Sequence, residues 1–244
     1  MVRPAAVSLL LMLIAGIAGA AGRQLIIIDS NVPRLTPGAI VETSQPLALS
    51  KGERLTLVGD DGMIVHLQGP ASGPPAIDDA APARDDGVVH ALSRLFSSDV
   101  APPTKGGWGG FRGDDSSQAR DSGPGDVWAW NVYRSDSICV PAGTEPSLWR
   151  PDAAGEQSVV VLHFSTGKEA EVALPAGQNS APWPRSVPLL DGGEYAVRDP
   201  RSLWERRLVI RIIPVGEIST VHQVAWMSDA GCFRQARVLV RALR

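Results

Sequence analysis

The sequence predicts a mainly β protein, in which a small β-module precedes an antiparallel β-sandwich (Ig-like or half-open barrel) with a C-terminal helical hairpin. Three observations support this fold class. Short alternating apolar segments recur between turn residues. The 20 prolines and 25 glycines collect in particular stretches, which indicates ordered modules joined by loose chain. After Ser219 the apolar period changes from two residues to the helical period.

The N-terminal segment has the pattern of a secretory signal peptide. Arg3 supplies a positive charge, and the apolar run that follows is shorter than the roughly 20 residues that span a bilayer. Ala18 and Ala20 place small residues where a signal peptidase requires them, so residues 1–20 are predicted to be removed, with cleavage after Ala21 or Gly22 as neighbouring choices. An uncleaved N-terminal anchor is the alternative. The pattern predicts a periplasmic or secreted protein with no membrane span after cleavage.

Residues 24–70 are predicted to form the first β-module. It begins with a continuous β-branched run, "QLIIID", and continues with the alternating segments "ERLTLVGD" and "GMIVHLQGP". Asp61-Gly62 lies between the last two segments and predicts a hairpin, because Gly tolerates the positive φ of the turn. Leu55, Leu57, Ile64 and either Met63 or Val65 are predicted to point inward by the period of two.

This module resembles the FecR-type periplasmic β-domain over residues 35–70. The landmarks of the resemblance are Gly38, the Lys51-Gly52 turn, the strand Leu55-Thr56-Leu57, the Asp61-Gly62 hairpin and the closing Gly69-Pro70. The resemblance implies a small β-domain on the envelope side of a membrane. It does not extend to the membrane span or the signalling segment of that family.

Residues 71–126 are predicted to be a linker rich in Pro, Gly, Ser and Asp, because this composition buries too little apolar area to offset chain entropy. Within it, "VVHALSRLF" has apolar residues at helical spacing. We expect a short helix at about residues 87–98, docked on a sheet and capped by Asp85 or Asp86.

Residues 127–244 are predicted to be the β-sandwich and its C-terminal helices. Seven short strand candidates precede Gly216 at regular spacing, as in a sandwich or half-open barrel. Residues 219–243 are predicted to form a helical hairpin, or one helix broken at Gly231, laid over the sandwich. Ser219 or Thr220 would cap its start. Arg234, Arg237 and Arg241 lie off the apolar stripe of the last helix, towards its C-terminal end, where cations suit the helix dipole.

The two cysteines are predicted to form one disulfide. Cys139 and Cys232 both occupy apolar, inward positions, and an even cysteine count in an exported chain favours a bridge. The alternatives, a nucleophilic or metal-binding Cys139, lack a neighbouring thiol or histidine pair.

The sequence predicts no catalytic residue, no metal site and no cofactor. Its four histidines are scattered, and it contains no phosphate-binding loop and no G-x-S-x-G elbow. With a net charge of −3 and no basic cluster interleaved with aromatic residues, it is not predicted to bind nucleic acid. A periplasmic hydrolase with His163 or His222 as base remains an alternative.

The predicted binding surface consists of Trp149 with Arg150 and Trp183 with Arg185. Prolines beside both pairs exclude central strands, so these segments belong at a sheet edge, where they either pack or expose a cation–π patch. Trp and Arg are common at binding hot spots. The sequence thus favours a non-enzymatic envelope protein that binds another protein or a glycan. An accessory subunit that adds an edge strand to its partner is a further alternative.

Overall fold

The computed structural model describes residues 22–75, 87–97, 124–201, 204–214, 216 and 219–243. The predicted signal peptide, Asp85 and Asp86, and most of the predicted linker lie outside the described residues. The described part is mainly β, with several sheets and three helices, as the sequence predicts. None of these helices is long and apolar enough to cross a membrane.

The first module contains six short strands in two sheets. The larger sheet has the order β2-β1-β4-β5 with antiparallel pairing throughout, and β3 pairs with β6 in a two-stranded sheet. The larger sheet therefore ends at β2 on one side and at β5 on the other. The strands are β1 (Gln24–Ser30), β2 (Ile40–Glu42), β3 (Leu47–Leu49), β4 (Arg54–Gly59), β5 (Ile64–Gln68) and β6 (Ala71–Gly73).

Strand β1 is buried on both faces, which explains its continuous apolar run. Ile26 and Ile28 face an apolar cluster shared with the helices, whereas Leu25 and Ile27 face a second cluster on the opposite side of the sheet. Leu55 and Leu57 of β4 join this second cluster. Side chains alternate between the two faces of a strand, so a strand covered on both sides must be apolar throughout.

Helix α1 (Val88–Ser97) docks on the first sheet, as expected for the short helix in the linker. Its first turn is capped from another element, because the carboxylate of Asp60 accepts a hydrogen bond of 2.9 Å from the backbone N–H of Val89. Asp60 lies in the turn between β4 and β5, and its negative charge also suits the positive end of the helix.

Two further helices follow the last strand: α2 (Thr220–Asp229) and α3 (Phe233–Arg241). Ser219 caps α2 through its side chain, as the sequence predicts. Gly231 adopts a φ of 82° and separates the two helices. The prediction of a helical pair broken at this glycine is confirmed.

The three helices join the first module to the sandwich. Helices α1 and α2 pack together, α2 packs on α3, and all three share one apolar cluster with Ile26, Ile28 and Val58 of the first sheet. The same cluster contains Cys139 and Ile213 of the second module. The C-terminal helices thus contact the first sheet as well as the sandwich over which they were expected to lie.

The second module is a sandwich of a five-stranded and a three-stranded sheet. The strand orders are β11-β10-β13-β14-β8 and β12-β9-β7. Most neighbours are antiparallel, but β8 pairs with β14, and β7 with β9, in parallel. The strands are β7 (Ala129–Asn131), β8 (Asp136–Pro141), β9 (Ser147–Trp149), β10 (Gln157–His163), β11 (Glu169–Leu174), β12 (Ser180–Pro182), β13 (Gly193–Arg198) and β14 (Glu205–Ile213).

Candidate binding groove

The disulfide connects an outer strand of the sandwich to the helical layer. Cys139 of β8 and Cys232, just before α3, are both buried, with an S–S distance of 1.99 Å and a Cα–Cα distance of 5.9 Å. The predicted bridge is therefore confirmed. It fixes the start of α3 against β8, which is the last strand of its sheet.

The side-chain amide of Gln235 covers the open edge of β8 beside the disulfide. Its Oε1 accepts a hydrogen bond of 2.7 Å from the N–H of Cys139, and its Nε2 donates to the carbonyls of Cys139 at 2.9 Å and Val127 at 2.8 Å. Gln235 is itself buried. The Gln235 amide thus satisfies the backbone N–H and C=O of Cys139 as a neighbouring strand would. The same hydrogen bonds hold α3 close to the edge of β8.

A groove of about 320 Å³ lies between α3 and the β7–β8 region. Such a volume is at the lower end of the roughly 300–1,000 Å³ typical of ligand pockets. Six of its lining side chains are charged, four arginines and two aspartates. These are Arg134, Arg234, Arg237, Arg241, Asp126 and Asp136.

The helix places three of these arginines on one face. Arg234, Arg237 and Arg241 are spaced i, i+3 and i+7, which brings them to the same side of α3. Arg134 reaches the groove from the turn that connects β7 and β8, where its backbone N–H donates to the carbonyl of Asn131 at 3.0 Å. The groove therefore carries excess positive charge on a chain whose net charge is −3.

Asp136 is the carboxylate nearest to this positive charge. It forms an ion pair with Arg234 at 3.0 Å, and its side chain is only 20% exposed. Burial raises the pKa of Asp136, and the neighbouring charges of Arg234 and Arg134, together with the N–H of Ser137, oppose that effect only in part. The ion pair alone would lower this pKa. Because the pKa is raised, the desolvation of the Asp136 carboxylate outweighs its attraction to the arginines.

Trp130 forms another part of the wall. It is 2% exposed, and its indole N–H has no hydrogen-bond partner among the described residues. A buried donor without an acceptor costs roughly 1–3 kcal/mol. The wall of the groove therefore carries a local cost to stability.

The four residues of the predicted tryptophan–arginine surface do not form an exposed patch. Trp183 is 4% exposed, donates from its indole to the carbonyl of Val187 at 2.9 Å and packs edge-on against Tyr195. Arg150 is 3% exposed, and its guanidinium donates to two backbone carbonyls, those of Gln178 and Pro175.

Of the other two members, Trp149 is half-buried at the end of β9, and Arg185 is exposed and pairs with Glu145 at 3.4 Å. Burial of Arg150 and Trp183 favours the packing alternative at these two positions, and binding by the four residues stays a prediction. Both belong to the packing of the three-stranded sheet edge, because their polar atoms are used by nearby backbone groups.

His163 and His222, the two candidate bases of the hydrolase alternative, do not line the groove. His163 is buried under Tyr195, with its ring nitrogens 2.7 Å from the Thr166 hydroxyl and 3.2 Å from the Ser165 hydroxyl. His222 lies 2.7 Å from the hydroxyl of Ser219, the cap of α2. These histidine–hydroxyl contacts are local to a turn and to a helix start. Among the described residues, no group of three His, Cys, Asp or Glu is placed to hold a metal ion.

Sequence reasoning missed the groove although its main signal was visible. In the sequence, the arginine spacing on the last helix indicates only a match to the helix dipole. Nothing in the sequence shows that Arg134 and Asp136 line the same groove. Only the pairing of β8 with β14 and the docking of α3 bring these residues together. No protein-family model and no curated protein matches this chain.

Proposed function

We propose that the chain is an exported, non-enzymatic protein of the cell envelope, periplasmic or secreted, that binds another protein or a glycan through the arginine-lined groove. The observation that carries this proposal is the groove itself, with four arginines around two aspartates on a chain of negative net charge. Local charge opposite to that of the whole chain favours a ligand of complementary charge.

Two features support export. The first 20 residues combine a positive start, a short apolar run and small residues at the expected cleavage position. The disulfide is buried within the cluster that joins the helices to both modules. Disulfides of this structural kind persist mainly in oxidising compartments. The resemblance of residues 35–70 to an envelope-side β-domain agrees with both.

Export is tested on the native protein by mass spectrometry. We expect an N-terminus near Ala21 and no alkylation of Cys139 or Cys232 unless a reductant is added. An intact Met1 together with two freely alkylated thiols would contradict export.

Binding is tested by capture from periplasmic extract with matched variants. The groove variant is Arg134→Gln/Arg241→Gln, and the control is Arg34→Gln, which removes an exposed arginine outside the groove. We expect a component that the native chain and the control retain and the groove variant loses. Equal capture by all three proteins would remove the groove from the proposed function.

A further inference from the structure

We infer that the groove binds a carboxylate-bearing, acidic peptide segment of a partner protein, and that Asp136 is a resident carboxylate that this peptide displaces from Arg234. The inference rests on the proposed function, because it names the ligand of the same groove.

The first step of the argument is the chemistry of the lining. A guanidinium presents its N–H donors as a planar fork that matches a carboxylate in a bidentate manner. Asp136 already places one carboxylate oxygen 3.0 Å from Nε of Arg234, so a carboxylate is accommodated at this end of the groove. Arg134, Arg237 and Arg241 also line the groove, and Arg237 donates one of its N–H groups to the carbonyl of Leu95.

The second step is the length of the arginine row. Arg234 and Arg241 are seven residues apart on α3, which at 1.5 Å per residue corresponds to about 10 Å along the helix axis. A single small anion covers one end of such a row. An extended peptide rises about 3.4 Å per residue and its side chains share a face at every second position, so acidic side chains at alternate positions can follow the arginine row.

The third step separates a peptide from a glycan. Trp130 is the one aromatic residue among those that line the groove, and it is only 2% exposed, so the described lining has no open aromatic face on which a sugar ring could stack. Val127 and Val238 also belong to the lining. Aliphatic surface of this kind suits the methylene groups of a glutamate side chain.

The fourth step is the conflict between the ligand and Asp136. A second carboxylate on Arg234 brings two negative charges together, unless Asp136 takes up a proton or moves away. The charged groups that face Asp136 are Arg234 on α3 and Arg134 on the β7–β8 turn, and Asp126, Arg237 and Arg241 share the same groove. Burial already favours the protonated form of Asp136 by raising its pKa. Peptide binding should therefore tighten as the pH falls.

The test measures the affinity of a fluorescent hexapeptide with alternating Glu and Ala by anisotropy, at low salt, between pH 7.5 and pH 5.5. The peptide carboxylates, with pKa values of about 4.3, stay mostly ionised in this range. The native chain should bind the peptide, bind more tightly at pH 5.5, and fail to bind the matching Gln–Ala peptide.

Three variants make the test specific. Asp136→Asn should bind roughly tenfold more tightly at pH 7.5 and lose most of the pH dependence. Asp136→Asn/Arg234→Gln removes the ion pair without leaving a charge and should bind at least tenfold more weakly than Asp136→Asn alone. Arg34→Gln, which changes an arginine outside the groove, should behave as the native chain.

Other results would overturn the inference. They are unchanged affinity in Asp136→Asn, equal binding by the double variant, or preference for an oligogalacturonate or for inorganic phosphate over the peptide. Circular dichroism melts of each variant separate lost binding from lost folding. If capture from extract still depends on the groove while the peptide does not bind, the ligand assignment fails and the proposed function stands.

Discussion

At the scale of single residues, Gln235 shows how a side chain can complete a sheet. Its amide matches both the donor and the acceptor of Cys139 at the edge of β8, and both partners are buried. Removing one partner leaves the other without a hydrogen bond in a place that water does not reach. The amide therefore protects the edge and fixes the helix in one interaction.

The variant Gln235→Ala should lower the free energy of unfolding by about 1–3 kcal/mol, because it leaves the N–H and C=O of Cys139 unsatisfied. Urea unfolding followed by tryptophan fluorescence measures this change. Gln223→Ala, in the half-exposed part of α2, is the matched control and should change stability much less. Equal losses in the two variants would show that the edge contact contributes nothing of its own.

Asp136 should make stability depend on pH in the opposite sense to an ordinary ion-paired aspartate. Because its pKa in the folded chain is raised, the folded state holds the proton more tightly than the unfolded state. The contribution of Asp136 to stability is therefore greatest below the unfolded pKa of about 3.9 and is lost as the pH rises through the folded pKa. NMR titration of the carboxyl carbon should give a midpoint above the ordinary value, and Asp136→Asn should abolish this part of the pH dependence. A midpoint below the ordinary value would contradict the assignment.

At the scale of elements, the β4–β5 hairpin and α1 depend on each other. Asp60 is in the hairpin turn, yet its carboxylate caps a helix that begins 28 residues later, at Val88. The next turn residue, Gly62, has a φ of 75° and leaves no room for a Cβ, which would lie 2.5 Å from the ring of His222 in α2. One short turn thus positions two helices.

Asp60→Ala should destabilise the protein by about 0.5–2 kcal/mol, the usual cost of losing an N-cap side chain. Asp60→Asn retains an oxygen acceptor and should recover most of the loss. Thermal melts at constant pH compare the two variants with the native chain. If Asn fails to rescue, the contribution of Asp60 is electrostatic and not that of a hydrogen-bonded cap.

Most helices and strands could be predicted from the sequence. Which elements pack against one another could not. The run "QLIIID" predicted β1, and Leu55, Leu57 and Ile64 point inward as predicted, but Ile64 packs with the helix-side cluster and the two leucines with the opposite one. Local periodicity reports whether a position is buried. It does not report which of two faces buries it, since that depends on an element far away in the chain.

The candidate site was less predictable for the same reason. The disulfide could be predicted from the cysteine count and the predicted compartment, which are properties of the whole chain. The sequence could not decide between packing and exposure for Arg150 and Trp183, because their backbone acceptors come together only in the folded sheet edge. The groove needs a turn, an edge strand and the last helix in one place, and no local pattern contains that information.

At the scale of the whole molecule, the disulfide should account for a large share of stability. It joins residues 93 apart in sequence, for which the chain-entropy model gives about 4–5 kcal/mol. Cys139→Ser/Cys232→Ser should lower the free energy of unfolding by up to this amount in denaturant titrations. The native chain treated with reductant should lose a similar amount, and a loss below about 1 kcal/mol in both would show that packing alone holds the last helix.

The apolar cluster shared by the first sheet and all three helices also sets an order for assembly. Helix α1 contacts β1 and β4, and α2 packs on α1, so the cluster around Ile26, Ile28 and Val58 is complete only when residues 219–243 are in place. The first β-strands to be synthesised must therefore wait for helices encoded some 190 residues later before this cluster is complete. During that interval the unfinished sheet is the surface that a folding helper would have to shield.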